Sequence, residues 1–481
     1  MVRAGFWAQP RWEVVRLAPN RWRQLSPPQL LASSFMLLIA AGTLGLRLLP
    51  GLYVGPRLGW IDSLFTATSA VCVTGLTVVD TATYFTWFGQ AWVLLLIQLG
   101  GLGIITFTTL IILALGRRLS LQHETITSST ASVAAIVDYR HLARAIVVFT
   151  LAMEAIGTAL LMLFWVPRYG LAGAWHALFH AISAFCNAGF STFSRNLIDF
   201  QLEPAVLGTI AALIVIGGIG FVTMDELYLW RRLKRDPRLL RRFGGIIPRV
   251  SVHTRVVLGT TAALIIGGWV LFSIFEWQVS LRGMPFWAKT VNALFMSITP
   301  RTAGFNAVDY TQVSDPGNFL TVLLMAIGGS PGSTAGGLKT TTFALIGLLA
   351  WARLRGRTTV DIAGRTVPEE TIQRAVGLFV ICFAIITIGI FLLLLTEVAR
   401  LPSGHSGHGL LPLMFEATSA FNTVGLSMDV TPDLSPVGRW IGVILMYLGR
   451  VGPLTFAAAI ARPRLGGGAV FRYAYEDVAI G

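Results

Sequence analysis

Four short apolar stretches, each about a dozen residues long and each ending on a glycine, recur along this chain. They read Leu64-Phe-Thr-Ala-Thr-Ser-Ala-Val-Cys-Val-Thr-Gly75, Leu178-Phe-His-Ala-Ile-Ser-Ala-Phe-Cys-Asn-Ala-Gly189, Leu294-Phe-Met-Ser-Ile-Thr-Pro-Arg-Thr-Ala-Gly304 and Met414-Phe-Glu-Ala-Thr-Ser-Ala-Phe-Asn-Thr-Val-Gly425. Their glycines are 114, 115 and 121 residues apart. One structural unit therefore recurs four times, and such a repeat constrains the architecture before any local pattern does. Each stretch lies between two longer apolar segments, of which there are eight, near 30–51, 88–116, 142–167, 204–230, 253–277, 317–352, 373–399 and 436–461. A membrane-crossing helix needs roughly 20 apolar residues. The long segments meet that length, whereas the short ones can only dip into the membrane and return.

Composition agrees: only 12% of the residues are charged, against roughly 25% in soluble proteins. A soluble enzyme is excluded. The net charge of +14 sits in the connections between spans, where basic residues mark the cytoplasmic side. The N-terminus and the connections Arg117–Arg144, Arg231–Arg255 and Arg353–Arg374, with the tail from Arg462, carry 26 Lys and Arg. The opposite face, with all four short stretches, carries 9. Both termini are thus expected in the cytoplasm and the glycine loops on the outside. The basic run Arg231–Arg255 offers no aromatic platform beyond Phe243, so nucleic acid is not an expected partner. Cys72, Cys186 and Cys382 are far apart in apolar surroundings, which supports neither a disulfide framework nor a zinc ribbon. The run from Leu30 is too long for a signal-peptide core and reads as an uncleaved first span.

Non-helical backbone at membrane depth must be buried in protein or line a wet cavity, and four such loops suggest a shared one. A half-helix entering from outside directs its partially negative C-terminal end toward the membrane centre. The loop after it can offer backbone carbonyls in place of hydration water, with glycine permitting φ > 0. The loops carry no carboxylate, and potassium, which gives up its hydration readily, suits a site made of carbonyls alone. The expected fold is an all-α membrane protein: eight transmembrane helices and four re-entrant pore half-helices, arranged as four pseudo-symmetric span-pore-span repeats around one ion pore. Its parts are a cytoplasmic N-terminus (1–29), repeat 1 (30–116), repeat 2 (117–230), a basic cytoplasmic linker (231–252), repeat 3 (253–352), repeat 4 (353–461) and a cytoplasmic tail (462–481).

The loops Cys72-Val-Thr-Gly75-Leu, Cys186-Asn-Ala-Gly189-Phe, Thr299-Pro-Arg-Thr-Ala-Gly304-Phe-Asn and Phe421-Asn-Thr-Val-Gly425-Leu-Ser resemble the four selectivity loops of the Trk/Ktr/HKT superfamily of potassium transporters. Gly449-Arg-Val-Gly-Pro-Leu-Thr455 resembles the final span of the bacterial Ktr and Trk subunits. The resemblance covers Leu30 to Arg462. Trk-type subunits carry two extra N-terminal spans, so the chain is most similar to the KtrB-type ion-conducting subunit. The resemblance implies a potassium selectivity filter of Val73, Thr74 and Gly75 from loop one, Asn187, Ala188 and Gly189 from loop two, Thr302, Ala303 and Gly304 from loop three, and Thr423, Val424 and Gly425 from loop four. Glycine at all four positions goes with potassium preference. Loop three is one residue shorter than the others, so the pore should be only approximately four-fold. The resemblance further implies potassium as substrate, sodium as an activator, no organic cofactor, a homodimer of the pore chain and a cytosolic ring of nucleotide-binding, RCK-type regulatory subunits in the cytoplasmic membrane. A Trk-type subunit with different coupling, or the channel-like subunit of a potassium-pumping ATPase, is the alternative.

The sixth span is interrupted at 328–342 by Gly328, Gly329, Ser330, Pro331, Gly332, Ser333, Thr334, Ala335, Gly336, Gly337 and Lys339 among others. No continuous helix is expected there. A flexible kink is one reading; an intramembrane gating loop beneath the filter, to which Lys339 lends charge, is the one the resemblance implies. Arg450 falls in the last span, where a charge needs a partner or a cavity. It either pairs with a carboxylate such as Glu416 or faces the conduction path inside the filter. His176 and His180 share one face of the second half-helix, but no further ligand completes a metal site. His405 and His408 read as solvated. No enzyme motif appears.

Overall fold

A chain inside a bilayer must satisfy its own backbone hydrogen bonds, and this one does so almost entirely with helices. The structure, a computed structural model, describes residues 27–123, 139–236, 250–362, 364–397 and 409–452. The two ends of the chain, most of the basic segment 231–252 and His405 and His408 lie outside the described residues. Repeat 1 comprises α1 (Pro27–Leu48), α2 (Trp60–Val71) and α3 (Trp87–His123), and repeat 2 α4 (Tyr139–Tyr169), α5 (Leu171–Cys186), α6 (Pro204–Ile219) and α7 (Phe221–Arg235). Repeat 3 comprises α8 (Val252–Glu276), α9 (Phe286–Ile298), α10 (Asp315–Met325) and α11 (Thr340–Leu354), and repeat 4 α12 (Glu369–Glu397), α13 (Leu410–Asn422) and α14 (Pro436–Val451). A small antiparallel hairpin, β1 (Asp361–Ile362) with β2 (Arg365–Thr366), precedes α12.

The helices that open the repeats, α1, α4, α8 and α12, are each long and apolar enough to cross a membrane. Their outer faces expose large apolar side chains such as Leu37, Leu163 and Leu395, as lipid-facing surfaces do. The chain is a multi-pass membrane protein. The second half of each repeat is less regular. The segment read as one span over 204–230 is broken at Gly220, where α6 and α7 meet at 97°. Gly220 has φ +90, and the freed Phe221 N–H donates to the Gly332 carbonyl at 3.1 Å. The interruption of the sixth span is also wider than 328–342 at its start, since helix stops at Met325 and resumes at Thr340.

α2, α5, α9 and α13 are the four recurring short stretches, 12 to 16 residues long. Each packs against the helix that follows the short helix of the preceding repeat: α5 on α3, α9 on α6, α13 on α10 and, closing the circle, α2 on α14. Repeats 3 and 4 hold their halves together with one device. Glu276 and Glu397, both buried at the ends of α8 and α12, accept from the backbone N–H of Ser314 (3.1 Å) and Ser435 (3.0 Å) and from both serine hydroxyls. Those serines in turn cap α10 and α14, and a helix cap of this kind contributes about 1 kcal/mol. Helices in lipid gain little from apolar burial against one another and rely on close packing of small residues. Accordingly Gly100, Gly217 and Gly449 lie directly on the backbone carbonyls of Val71, Phe185 and Phe421, so that a Cβ at any of them would strike main chain.

Candidate ion pathway

Each of the four short helices carries, in its last turn or just after it, a hydroxyl residue that shapes the loop behind it. Ser69 and Ser419 accept through their hydroxyl oxygens from the N–H of Gly75 and Gly425, both at 3.1 Å. The Ser183 hydroxyl donates to the Phe190 carbonyl at 2.8 Å, and that of Thr299 donates to the Phe305 carbonyl. Main-chain bonds Thr74 N to Ser69 O (2.7 Å), Ala188 N to Ser183 O (2.7 Å) and Val424 N to Ser419 O (2.8 Å) close the turn in loops one, two and four, and Ala303 N to Thr299 O (3.0 Å) closes a turn one residue tighter in the shorter loop three. Sequence reasoning gave these hydroxyls no role, although their recurrence within the aligned stretches was the available signal.

With the turn fixed, the backbone alternates. Val73, Asn187, Thr302 and Thr423 have φ of 55, 58, 70 and 51, and the glycines two residues later have 99, 70, 78 and 91. The residues between them are not left-handed. Positive φ is uncommon outside glycine, so its recurrence at four non-glycine positions marks an imposed loop geometry. The glycines themselves close a ring. A Cβ on Gly75 would lie 2.5 Å from the Ala188 carbonyl oxygen, one on Gly189 2.8 Å from Gly304 Cα, one on Gly304 2.5 Å from the Val424 oxygen, and one on Gly425 2.9 Å from Gly75 Cα. Loops one, two, three and four therefore touch in sequence and return to one. The site brings together four strands of backbone, four sets of carbonyl oxygens and the C-terminal ends of four short helices, all of which favour a cation. The two residues before each glycine, Val73 and Thr74, Asn187 and Ala188, Thr302 and Ala303, Thr423 and Val424, are all buried.

On one side the ring forms the floor of a polar cavity of about 290 Å³, lined among others by Asp80, Asp309, Asp429 and Arg195. Burial, and then the neighbouring Asp309 and Asp433, raise the Asp429 carboxyl above its ordinary range. On the other side lies the segment between Met325 and Thr340. From Ile327 to Leu338 its residues are buried or nearly so. Ser330 N donates to Gly218 O (3.0 Å), Thr334 N to Gly217 O (3.3 Å), Gly328 N to Leu338 O (2.8 Å) and Gly337 N to Gly449 O (3.3 Å). It also touches the ends of α5 and α13 and the loop that follows α13: Leu338 N donates to the Asn422 side-chain oxygen (3.3 Å), the Thr334 hydroxyl donates to the Phe185 carbonyl (3.3 Å), and a Cβ on Gly336 would strike the Thr423 hydroxyl. Lys339 turns its ammonium back onto the Ala335 carbonyl at 2.6 Å.

Arg450, 3% exposed, donates through Nη1 to the Thr334 carbonyl at 2.5 Å. Its Nε and Nη2 find no hydrogen-bond partner among the described residues, and no carboxylate there pairs with it. Glu416 instead accepts from the hydroxyls of Ser427 and Thr431. Arg450 is thus joined to the buried loop rather than to an acid. His176 and His180 are also engaged locally, His176 with the Thr192 hydroxyl at 2.6 Å and His180 with that of Ser191 at 3.0 Å. Arg301, counted from sequence with the outer-face cations, is buried, and its guanidinium reaches only Thr261, at 3.4 Å, among the described residues.

The family profile of TrkH cation transport proteins matches residues 26–464, from just before α1 to beyond α14. This chain belongs to the TrkH family. Within the TrkH family it is similar to the potassium/sodium uptake protein NtpJ of Enterococcus hirae, with 36% identity over 461 residues, 95% of this chain and 98% of that protein. It is 38% identical to the Ktr system potassium uptake protein B of Bacillus subtilis over 447 residues, 92% and 94% of the two chains. The same-named protein of Vibrio alginolyticus is also 38% identical, over 84% of each. The crystal structure of the potassium transporter TrkH from Vibrio parahaemolyticus superposes with a TM-score of 0.70 over 91% of this chain and 86% of that one, at 18% identity, which shows a shared fold. The TrkH-family assignment accords with the KtrB-like resemblance carried by the four loops.

Proposed function

We propose that this TrkH-family protein is a potassium uptake pathway of the cytoplasmic membrane, selective at the ring of Gly75, Gly189, Gly304 and Gly425. The observation that carries the reading is the ring itself: four left-handed loop strands closing on one another, with carbonyl oxygens and no carboxylate between them. Carbonyls without formal charge favour an ion that dehydrates cheaply, which is potassium over sodium. The names of the NtpJ and Ktr relatives support potassium, and the NtpJ name supports sodium as a second ion of the system, here as activator. In this reading the eight spans form four span-pore-span repeats with both termini cytoplasmic, and the acidic cavity is the outer vestibule. The buried segment 328–342 is the gate, with Arg450 and Lys339 setting its charge. Inward flux follows the membrane potential, worth about 2.3 kcal/mol per charge per 100 mV. The Ktr names support a separate regulatory subunit, which we take to be a nucleotide-binding ring on the basic cytoplasmic face of a pore-chain homodimer.

The test is flux of potassium, rubidium and sodium into proteoliposomes holding this chain alone. Potassium and rubidium entry driven by an inside-negative potential, with sodium excluded, supports the reading. No flux without a pump subunit would make it the channel-like part of a potassium-pumping ATPase, and equal sodium entry would remove the filter assignment.

A further inference from the structure

α4 carries a buried acid that the ring of glycines does not use. Glu154, 3% exposed, sits in the middle of that membrane-spanning helix, and an ionisable residue at such a place points to a function. Its Oε2 accepts from the Gln98 side-chain N–H of α3 at 3.0 Å, and its Oε1 lies 3.8 Å from the Cys186 thiol at the end of α5. The amide oxygen of Gln98 lies 3.6 Å from the same sulfur. The neighbouring repeat fits tightly around it, since a Cβ on Gly101 would come within 2.8 Å of that sulfur. Cys186 directly precedes Asn187, the residue whose φ of 58 starts the second filter strand. α6, the remaining helix packed on α4, contributes no titratable residue. Thirty-five residues before the glycine, where repeat 2 has Glu154, repeats 1, 3 and 4 carry Ala40, Trp269 and Ile390, so the acid is a feature of repeat 2.

We infer that Glu154, together with Gln98, is a positioning residue for the second filter strand, fixing Cys186 and through it the carbonyls of Asn187 and Ala188, and that this sets part of the discrimination between potassium and sodium. The carboxyl is suited to the task because it accepts from the amide and the thiol at once, with one oxygen for each. A glutamine there has the same shape but a single acceptor oxygen, and its NH2 would face another donor. The second strand then loses one anchor while the other three keep theirs.

This inference rests on the proposed function, and the unchanged chain separates the two: if it shows no potassium-selective flux, that reading fails and the inference falls with it. Given selective flux, Glu154→Gln is expected to lower the potassium-to-sodium flux ratio in proteoliposomes by about fivefold, the equivalent of one net hydrogen bond. The exchanged pair, Gln98→Glu with Glu154→Gln, restores an acid and an amide across the same gap and is expected to recover most of the ratio, which an effect on folding alone would not predict. Should Glu154→Gln fail to fold, Cys186→Ala is compared with Cys186→Ser, and the alanine is expected to lower the ratio more because the serine keeps a donor. An unchanged ratio in Glu154→Gln, a reduced flux at constant ratio, a failure of the exchanged pair to recover, or equal ratios for the two Cys186 variants would overturn the inference.

Discussion

Replacing Arg450 by alanine separates its possible roles by sign. In the structure its one hydrogen bond runs to the Thr334 carbonyl in the buried loop, and no carboxylate accompanies it among the described residues. A hydrogen bond to a charged group contributes about 1.5–3 kcal/mol, so losing it should shift the loop's closed preference by about 10- to 150-fold. The substitution also removes a positive charge from the path beneath the ring. Two unit charges about 8 Å apart at an effective dielectric of about 20 repel by about 2 kcal/mol, which acts in the same direction. Arg450→Ala should therefore raise potassium-driven rubidium entry into proteoliposomes by about tenfold or more, with the potassium-to-sodium ratio little changed. Breaking a buried ion pair would cost about 3–5 kcal/mol, but here no orphaned acid is left behind, so the melting temperature should move little. A well-folded variant with unchanged or reduced uptake would refute the barrier. A collapsed melting temperature would show that Arg450 supports the fold itself rather than only the loop.

Deleting residues 332–336 removes the part of the loop nearest Thr423 and should raise flux at constant selectivity; reduced flux at normal expression would give that segment a structural role instead. Because the Asp429 carboxyl is held above its ordinary range, it takes up a proton earlier than a solvated aspartate as pH falls, and the vestibule loses negative charge. Uptake from subsaturating potassium should then decline on mild acidification, and Asp429→Asn should abolish that decline; an identical pH profile in the variant would remove Asp429 from cation collection. Neutralising the basic residues from Arg231 to Arg242 should abolish co-purification of a nucleotide-binding ring, and retained binding would move the docking surface elsewhere.

The four short helices and their glycine loops were legible in the sequence because their constraint is local and repeated: a short apolar run, a glycine and a near-constant period. The same alignment displayed Ser69, Ser183, Thr299 and Ser419 in register, yet a hydroxyl in an apolar helix carries little meaning until its acceptor or donor is known. The break at Gly220 was not legible. One glycine in an apolar run costs a helix only about 1 kcal/mol, and what turns that into a 97° bend is the Gly332 carbonyl more than a hundred residues away in sequence. Arg450 was visible as an unusual charge, but its choice between Glu416 and Thr334 depended on which repeat lay beneath the ring. Glu154, an equally isolated acid in an apolar run, was passed over in the sequence, and only the packing of α3 and α5 around it gives that carboxyl neighbours.

Whether the four glycines form the potassium filter is decided by the potassium-to-sodium flux ratio of Gly189→Ser against the unchanged chain. A side chain at Gly189 would press on the Ala303 carbonyl oxygen and Gly304 Cα, at 3.0 and 2.8 Å, and would occupy a left-handed backbone that serine resists. The account predicts a folded protein whose ratio falls clearly as sodium entry increases. A folded variant with an unchanged ratio would contradict it.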